Sequence, residues 1–196
     1  SNNTAQAVEF AQAFEKLGAD SLLVITPYYN KTNETGMLKH FTKIAESVNI
    51  PIIMYNAPGR TGVNLSVEAV EILAQHPNIT GLKEASGDIA YVEKISRYLS
   101  NNFALYSGND DMIVPCLSLG ASGVISVWAN FMPDVVKELI ETFATNPAHS
   151  LSLQQKYLNL VDSLFIEANP IPVKFVMNQL GYNVGSVRLP LDEPSE

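Results

Sequence analysis

The sequence predicts an α/β protein with a parallel sheet, on three observations. Short apolar runs alternate along the chain with longer segments that carry apolar residues at helical spacing. The short runs are continuously apolar, which is typical of parallel strands that are buried on both faces. The units repeat at roughly 25 residues, which favours a (β/α) barrel over a doubly wound sheet. No Gly-x-Gly-x-x-Gly motif opens a helix, which weakens a dinucleotide-binding interpretation.

Each element follows from its own local pattern. The apolar runs predict strands over residues 21–26, 51–55, 79–83, 103–107 and 123–127. Helical spacing predicts helices over 4–17, 37–48, 66–75, 89–99 and 133–144. Ser66 and Asp88 precede two of these helices and are predicted to cap them. Asp110 or Asp111 is predicted to cap a further helix that ends at Leu119.

The alternation stops after residue 144, where helices over 151–166 and 173–180 follow one another. We therefore predict two parts: a partial (β/α) barrel over 1–145 and a C-terminal helical domain over 146–196. A closed (β/α)8 TIM barrel needs eight strands and about 250 residues. Five predicted strands mean either an open sheet or a barrel whose first three βα units are absent from this sequence.

Composition narrows the class of function. The net charge of −8 and the pI of about 4.8 argue against nucleic acid and anionic membranes as partners. No apolar run approaches the roughly 20 residues of a membrane span. The polar start without an initiator Met predicts a cytoplasmic protein from which an upstream segment has been removed. The single cysteine, Cys116, lies in an apolar run and is predicted to be a packed thiol.

Lys83 is the main candidate for chemistry. It ends an apolar strand, where poor solvation lowers a lysine pKa and leaves some free amine near neutral pH. A free amine can attack a ketone and form a Schiff base. The alternative is a lysine whose ammonium reaches solvent at a strand end. Gly81, two residues earlier on the same face, is predicted to leave space beneath Lys83.

Other polar residues follow neighbouring strand ends, where barrel enzymes place their chemistry. Tyr55 is predicted to lie at the height of Lys83 and could shuttle protons. Arg60, in a Pro/Gly loop, suits a carboxylate substrate, and Gly108 would let backbone approach a ligand. Each residue taken alone has an alternative interpretation: Tyr55 could be a core aromatic, and Arg60 could pair with an acidic residue at the surface.

The histidines give no sign of a metal site. They are separated along the chain, lack metal-ligand spacing and are predicted to lie at the surface: His40, His76 and His149. No Ser-His-Asp arrangement or Walker motif is evident.

The sequence resembles the dihydrodipicolinate synthase family of pyruvate-dependent class I aldolases. Its two most characteristic motifs are Tyr55-Asn56-Ala57-Pro58-Gly59-Arg60-Thr61-Gly62 and Gly81-Leu82-Lys83-Glu84-Ala85-Ser86-Gly87. Three further segments match in order and spacing: Thr26-Pro27-Tyr28-Tyr29-Asn30, Gly123-Val124-Ile125-Ser126-Val127 and Asn169-Pro170-Ile171-Pro172-Val173-Lys174. The resemblance implies barrel strands 4–8 followed by the C-terminal helical segment.

The resemblance also implies a lyase of lysine and diaminopimelate biosynthesis that condenses pyruvate with aspartate semialdehyde. Lys83 would form the Schiff base, Tyr55 would move protons, and Tyr29 would reach a neighbouring subunit's site. Arg60, Gly108 and Ile125 would line the substrate pocket. The family needs no organic cofactor and forms homotetramers or dimers.

Two features of the family are in question for this chain. Asn2 and Tyr28 match positions that contact a lysine effector, but Gln6 stands where inhibited members have an acid. The family's relay threonine lies in a segment that this sequence lacks.

Two alternatives stay open. One is a sister aldolase, such as N-acetylneuraminate lyase or a keto-deoxy sugar-acid aldolase, although Arg60-Thr61-Gly62 suits a short carboxylated aldehyde better. The other is a non-catalytic barrel fragment that needs an N-terminal piece.

Overall fold

The computed structural model describes residues 1–195 and contains one parallel sheet. Its five strands lie in chain order, each beside its sequence neighbour, as in the wall of a barrel. They are β1 Leu22–Ile25, β2 Ile52–Asn56, β3 Ile79–Glu84, β4 Ala104–Ser107 and β5 Gly123–Val124. The predicted α/β fold with parallel strands is therefore confirmed.

Helices connect the strands and complete the C-terminal part. They are α1 Thr4–Lys16, α2 Glu34–Ala45, α3 Pro58–Thr61, α4 Val67–Leu73, α5 Ile89–Ser96, α6 Ile113–Ser118, α7 Pro133–Phe143, α8 Pro147–Ser163 and α9 Ile171–Gln179. Among the helices of residues 1–195, none combines the length and apolarity that a membrane span requires. The short helix α3 replaces a predicted loop. Pro58 suits its first turn, and Gly62 ends it in the left-handed conformation at a φ of 73°.

Two of the predicted helix caps are present. Ser66 accepts a hydrogen bond from the Ala69 N–H at 3.0 Å, and Asp88 accepts one from the Ala90 N–H at 2.9 Å. These side chains satisfy backbone donors that the first helical turn leaves without partners.

The predicted cap at Asp110 or Asp111 is wrong. Residues Asp110–Met112 form a 3-10 turn without a side-chain cap. The Asp110 carboxylate instead accepts hydrogen bonds from the backbone N–H groups of Val127 and Trp128, at 3.0 and 2.9 Å. Residues 128–130 turn there, and β5 ends at Val124 instead of the predicted residue 127.

The two faces of the sheet differ in burial. The face that packs on the helices carries buried apolar side chains, namely Leu22, Ile52, Met54, Leu82 and Leu105, and they share a core with residues of α1, α2, α4 and α5. The opposite face carries the partly exposed Ile25, Tyr55, Lys83 and Tyr106. This second face is the one that lines the interior of a closed barrel.

A second apolar cluster holds the C-terminal helices in place. Trp128 is fully buried at its centre and packs with residues of α6, α7 and α8, including Leu139 and Val161. Helix α8 begins at Pro147, next to the start of the predicted C-terminal part. The division of the chain at residue 145 itself stays a prediction.

Gly81 lies where the sheet has no room for a side chain. A Cβ at this position would lie 2.9 Å from the Ala104 carbonyl oxygen and 3.5 Å from the Tyr106 ring. The space that glycine was predicted to leave beneath Lys83 is therefore occupied by neighbouring strand β4.

We expect Gly81→Ala to lower the free energy of unfolding by about 1–3 kcal/mol, because the contact is with backbone that cannot move freely. Urea denaturation measures this change. Gly59→Ala is the matched control, since a Cβ there would meet no atom within 4 Å. Equal stabilities of the two variants would contradict the expectation.

Candidate active site

Three polar side chains form a row across the middle of the sheet. Tyr55 of β2 pairs in register with Lys83 of β3, and Lys83 pairs with Tyr106 of β4. Residues in register on parallel strands point to the same face. The Lys83 Nζ atom lies 4.3 Å from the centroid of the Tyr55 ring. The predicted neighbourhood of Tyr55 and Lys83 is confirmed.

The environment favours a reactive amine at Lys83. Burial lowers its pKa, and the nearby positive charge of Arg60 lowers it further, while the Asp110 carboxylate opposes both effects. A lowered lysine pKa increases the fraction of neutral amine at physiological pH. Only the neutral amine has the lone pair that attacks a carbonyl carbon.

Tyr55 keeps its proton in the same environment. Burial raises its pKa, the Glu84 charge adds to this effect, and the Arg60 charge opposes it. The phenol is therefore protonated at neutral pH and can donate a proton or a hydrogen bond. Its position over Lys83 suits transfer between the amine and a bound carbonyl compound.

Arg60 lies on α3, immediately beyond the end of β2. Its Nη2 donates a hydrogen bond of 3.3 Å to the carbonyl oxygen of Asn169, in the C-terminal part of the chain. Its charge acts on both Lys83 and Tyr55. The structure thus brings a guanidinium close to the amine and the phenol, and its exposed position leaves it available to a carboxylate ligand.

Gly108 and Ile125 flank the row on the side of β4 and β5. The Gly108 N–H donates to the Glu84 carbonyl oxygen at 2.6 Å, and the Ile125 N–H donates to the Ser107 carbonyl oxygen at 2.9 Å. A Cβ at Gly108 would lie 2.6 Å from the Ala85 Cβ. Gly108 is therefore required by close backbone packing, a reason that sequence reasoning did not identify.

Sequence reasoning missed three residues at this site. Tyr106 shares the face and height of Lys83, which the alternation along β4 could have indicated. Asn56 and Glu84 directly follow Tyr55 and Lys83 and pair in register on the opposite face. Both are buried among the helices.

Tyr29 lies apart from the row. Its side chain is 88% exposed, and its φ of 69° is unusual for a residue other than glycine. Its N–H donates to the Thr61 carbonyl oxygen at 3.2 Å, which ties the loop after β1 to α3. The structure therefore presents the Tyr29 phenol to solvent and does not bring it to Lys83.

The two candidate effector residues, Asn2 and Tyr28, lie together. The Asn2 side-chain amide donates to the Tyr28 carbonyl oxygen at 3.2 Å and to the Asn30 side chain at 3.0 Å. Asn2 also lines a groove of about 830 Å³ formed by α2, the loop after β1 and the start of α1. Gln6 accepts a hydrogen bond from Ser1 at 2.6 Å.

One histidine was predicted wrongly. His40 is buried, with its Nδ1 atom 2.9 Å from the Thr4 hydroxyl, and burial lowers its pKa to about 4. It packs inside because α1 lies across α2. His149 is at the surface, as predicted, 2.7 Å from Glu138.

Within residues 1–195 no three His, Cys, Asp or Glu side chains are arranged to hold a metal ion. Cys116 is a buried thiol, as predicted.

Comparison with known proteins gives a consistent family. Residues 1–196 match the Dihydrodipicolinate synthetase family. The 4-hydroxy-tetrahydrodipicolinate synthase of Thermoanaerobacter sp. (strain X514) is 50% identical over 198 residues, which cover 100% of this chain and 67% of that protein. A synthase of Clostridium acetobutylicum is 50% identical over 192 residues, covering 97% of this chain and 66% of that protein.

Solved structures agree in fold. DHDPS from Cyanidioschyzon merolae with lysine bound superposes with a TM-score of 0.96 at 42% identity, covering 99% of this chain and 66% of that one. The chloride-inhibited synthase from Acinetobacter baumannii complexed with pyruvate superposes with a TM-score of 0.95 at 41% sequence identity, covering 100% of this chain and 67% of that one.

The chain spans about two thirds of the length of these relatives. The fold is therefore that of part of a TIM barrel, as the sequence predicted, and the lysine, tyrosine and arginine of the two most characteristic motifs converge on one face. The chain belongs to the dihydrodipicolinate synthetase family.

Proposed function

We propose that the protein condenses pyruvate with L-aspartate semialdehyde to give 4-hydroxy-tetrahydrodipicolinate, in lysine and diaminopimelate biosynthesis. The observation that carries the proposal is the Lys83 amine, with a lowered pKa, beside the Tyr55 phenol at 4.3 Å from amine to ring centroid. The names of relatives at 50% identity support the same reaction.

The geometry assigns a role to each group. The neutral Lys83 amine adds to the ketone carbon of pyruvate, and loss of water gives a protonated imine. Loss of a proton from the pyruvate methyl group gives an enamine, which attacks the aldehyde carbon of the second substrate, and the aldehyde oxygen takes up a proton to become a hydroxyl group. The amino group of the semialdehyde then attacks the imine carbon and displaces the Lys83 amine, which closes the ring and releases the product. Tyr55 would donate and accept the protons of these steps, because its hydroxyl is protonated and its ring lies beside the Lys83 amine. The reaction needs no organic cofactor, since the lysine itself carries pyruvate.

Arg60 would hold the carboxylate of the semialdehyde. A guanidinium binds a carboxylate through two parallel hydrogen bonds, and such a contact discriminates against substrates that lack the group. A short carboxylated aldehyde suits this position better than a polyol chain does. The synthase is therefore favoured over N-acetylneuraminate lyase and the sugar-acid aldolases.

Arg60→Ala is expected to raise the KM for aspartate semialdehyde by about tenfold or more, because a charge-assisted contact is lost. The KM for pyruvate should change by less than about threefold. Steady-state kinetics with each substrate varied in turn measures both constants. Arg97→Ala, at an exposed position on the outside of the barrel wall, is the control. An equal loss for both substrates would count against this role.

The remaining assignments are also proposals. Gly108 and Ile125 would line the pyruvate pocket. Tyr29 would complete the site of a second copy, because its phenol is exposed and free to contact another subunit. This role requires a homo-oligomer, a tetramer or a dimer. Asn2 and Tyr28 would belong to a lysine-effector site, which Gln6 would weaken because its amide carries no charge. We place the enzyme in the cytoplasm.

A specific observation bears on the fragment alternative. Helix α1 exposes Phe10 and Phe14, at 49 and 52%, next to edge strand β1, and Leu17, directly after the helix, is 81% exposed. Apolar side chains grouped in this way favour coverage by further protein. We therefore propose that full activity requires additional chain packed along this edge.

Borohydride trapping tests the proposed function directly. The protein is incubated with pyruvate, reduced, and examined by intact-mass and peptide mass spectrometry. A reduced pyruvate adduct on Lys83 is expected, because borohydride converts the imine into a stable amine. An adduct elsewhere, or none in a folded protein supplied with the additional chain proposed above, would overturn the proposal.

A further inference from the structure

Asn56 and Glu84 form a buried polar pair directly behind the catalytic row. Each follows a row residue in the chain, and the two pair in register at the ends of β2 and β3. Because side chains alternate along a strand, the pair points to the helix-covered face while Tyr55 and Lys83 point to the other. Their exposed fractions are 0% and 3%.

Every polar atom of this pair has a hydrogen-bond partner. The Asn56 Nδ2 donates to Glu84 Oε2 at 2.7 Å and to Asn64 Oδ1 at 2.7 Å. The Asn56 Oδ1 accepts from the Leu65 N–H at 3.1 Å. The second Glu84 oxygen, Oε1, accepts from the Ser86 N–H at 2.5 Å. A buried network that is fully satisfied in this way fixes the position of each member.

The hydrogen bonds join two segments that carry different parts of the site. The turn over 57–65 carries Arg60. Asn56 directly precedes this turn in the chain, and its side chain forms hydrogen bonds with Asn64 and Leu65 at the other end of the turn. Glu84 lies next to Lys83 and holds residue 86, at the start of the following loop. The Ala85 N–H also donates to the Asn56 carbonyl oxygen at 2.9 Å. The Asn56–Glu84 contact is thus the side-chain link between the arginine turn and the lysine strand.

The pair is unlike an ordinary core contact, because a carboxylate is costly to bury. Burial raises the pKa of Glu84, and its hydrogen bonds from Ser86 and Asn56 oppose this effect. Apolar side chains would fill the same space without a desolvation cost. What they would lack is a directional link between the two segments.

We propose that Asn56 and Glu84 are positioning residues that set the location of Arg60 relative to Lys83. This inference rests on the proposed function, since it assigns the semialdehyde carboxylate to Arg60. It predicts that damage to the pair misplaces the second substrate and leaves the bound pyruvate in place, because Lys83 is held independently by the backbone ladder of β2, β3 and β4.

Glu84→Gln tests the link by replacing one acceptor oxygen with an amide that donates. That amide meets either the Asn56 Nδ2 or the Ser86 N–H, both of which are donors. We expect the KM for aspartate semialdehyde to rise about tenfold, whereas the KM for pyruvate and the yield of the borohydride adduct stay within about twofold. The matched control is Glu71→Gln, which removes the same charge from a glutamate that accepts the Tyr98 hydroxyl at 3.0 Å outside the site.

The double variant Asn56→Asp with Glu84→Gln restores the link with donor and acceptor exchanged. The aspartate accepts from Leu65 and from the new glutamine, whose oxygen accepts from Ser86, and Asn64 can turn its amide to donate. We expect the semialdehyde KM to return to within about threefold of the unsubstituted protein. If Glu84→Gln does not fold, the double variant decides alone.

The outcomes separate the two claims. Pyruvate trapping in the unsubstituted protein, with a selective semialdehyde effect in Glu84→Gln and recovery in the double variant, supports the positioning role. Three results, each obtained together with trapping in the unsubstituted protein, overturn the positioning role and leave the proposed function standing. They are equal changes in KM for both substrates, no change beyond that of the Glu71→Gln control, and a double variant that is unfolded or still impaired. No trapping in the unsubstituted protein, when it is folded and supplied with the additional chain along the β1 edge, overturns the proposed function and this inference together.

Discussion

Lys83→Arg is expected to abolish the condensation, with a fall in kcat of about a thousandfold or more, because a reacting nucleophile is lost. Arginine keeps the positive charge and much of the length of lysine. Its guanidinium, however, stays protonated at any physiological pH and offers no free amine to pyruvate. The variant therefore separates a requirement for charge in the row from a requirement for nucleophilic nitrogen.

The measurement combines a steady-state assay of the condensation with borohydride trapping. The variant should give no pyruvate adduct at residue 83, while thermal unfolding shows that it is folded. Lys94→Arg is the matched control, since Lys94 is exposed on α5 and away from the row. Activity within tenfold of the unsubstituted protein, or an adduct that persists on another lysine, would remove Lys83 from the mechanism.

The row could be predicted from sequence because it depends only on local pattern. An apolar run identifies each strand, alternation within the run gives the face, and equal distance from the strand end gives the height. These rules alone place Tyr55 beside Lys83, and the register of β2 and β3 confirms that placement. Tyr106 satisfies the same rules.

Contacts between distant segments could not be predicted in this way. His40 is buried because Thr4 lies against it, 36 positions away in the chain. Asp110 leaves the helix-capping role because the turn beyond β5 offers two backbone N–H groups, 17 and 18 positions away. The placement of Asn56 beside Glu84 follows from the same register as the row, but the hydrogen bonds of Asn56 with Asn64 and Leu65 depend on the turn that returns the chain to the end of β2. In each case a tertiary hydrogen bond prevailed over the local tendency of the residue.

The arrangement around Lys83 also explains how one amine can be both accessible and reactive. One face of β3 presents Lys83 to the open interior, where a ketone can approach. The other face carries Glu84, whose carboxylate accepts hydrogen bonds from Asn56 and Ser86 on the helix-covered side of the sheet. Burial lowers the pKa of the amine, and the positive charge of Arg60 lowers it further, while the Asp110 carboxylate opposes both effects. The alternation of a single strand thus separates the groups that activate the amine from those that hold the strand.

Tyr55→Phe is expected to lower kcat by about a hundredfold to ten-thousandfold, the range of a lost acid–base group. Phenylalanine keeps the ring that lies over the Lys83 amine, so the shape of the site and the cation–π contact are retained. Only the hydroxyl is removed. A large effect would therefore report proton transfer and not packing.

The step that slows should identify which proton Tyr55 moves. If Tyr55 serves Schiff-base formation, the rate at which pyruvate becomes trappable by borohydride should fall together with kcat. Tyr98→Phe is the control, because it also removes a tyrosine hydroxyl, one that donates to Glu71 at 3.0 Å on the outer surface. If trapping proceeds at the normal rate while kcat falls, Tyr55 acts only in the later carbon–carbon bond formation. A kcat within about twofold of the unsubstituted protein would instead make Tyr55 a structural neighbour of Lys83 and assign proton transfer to another group or to water.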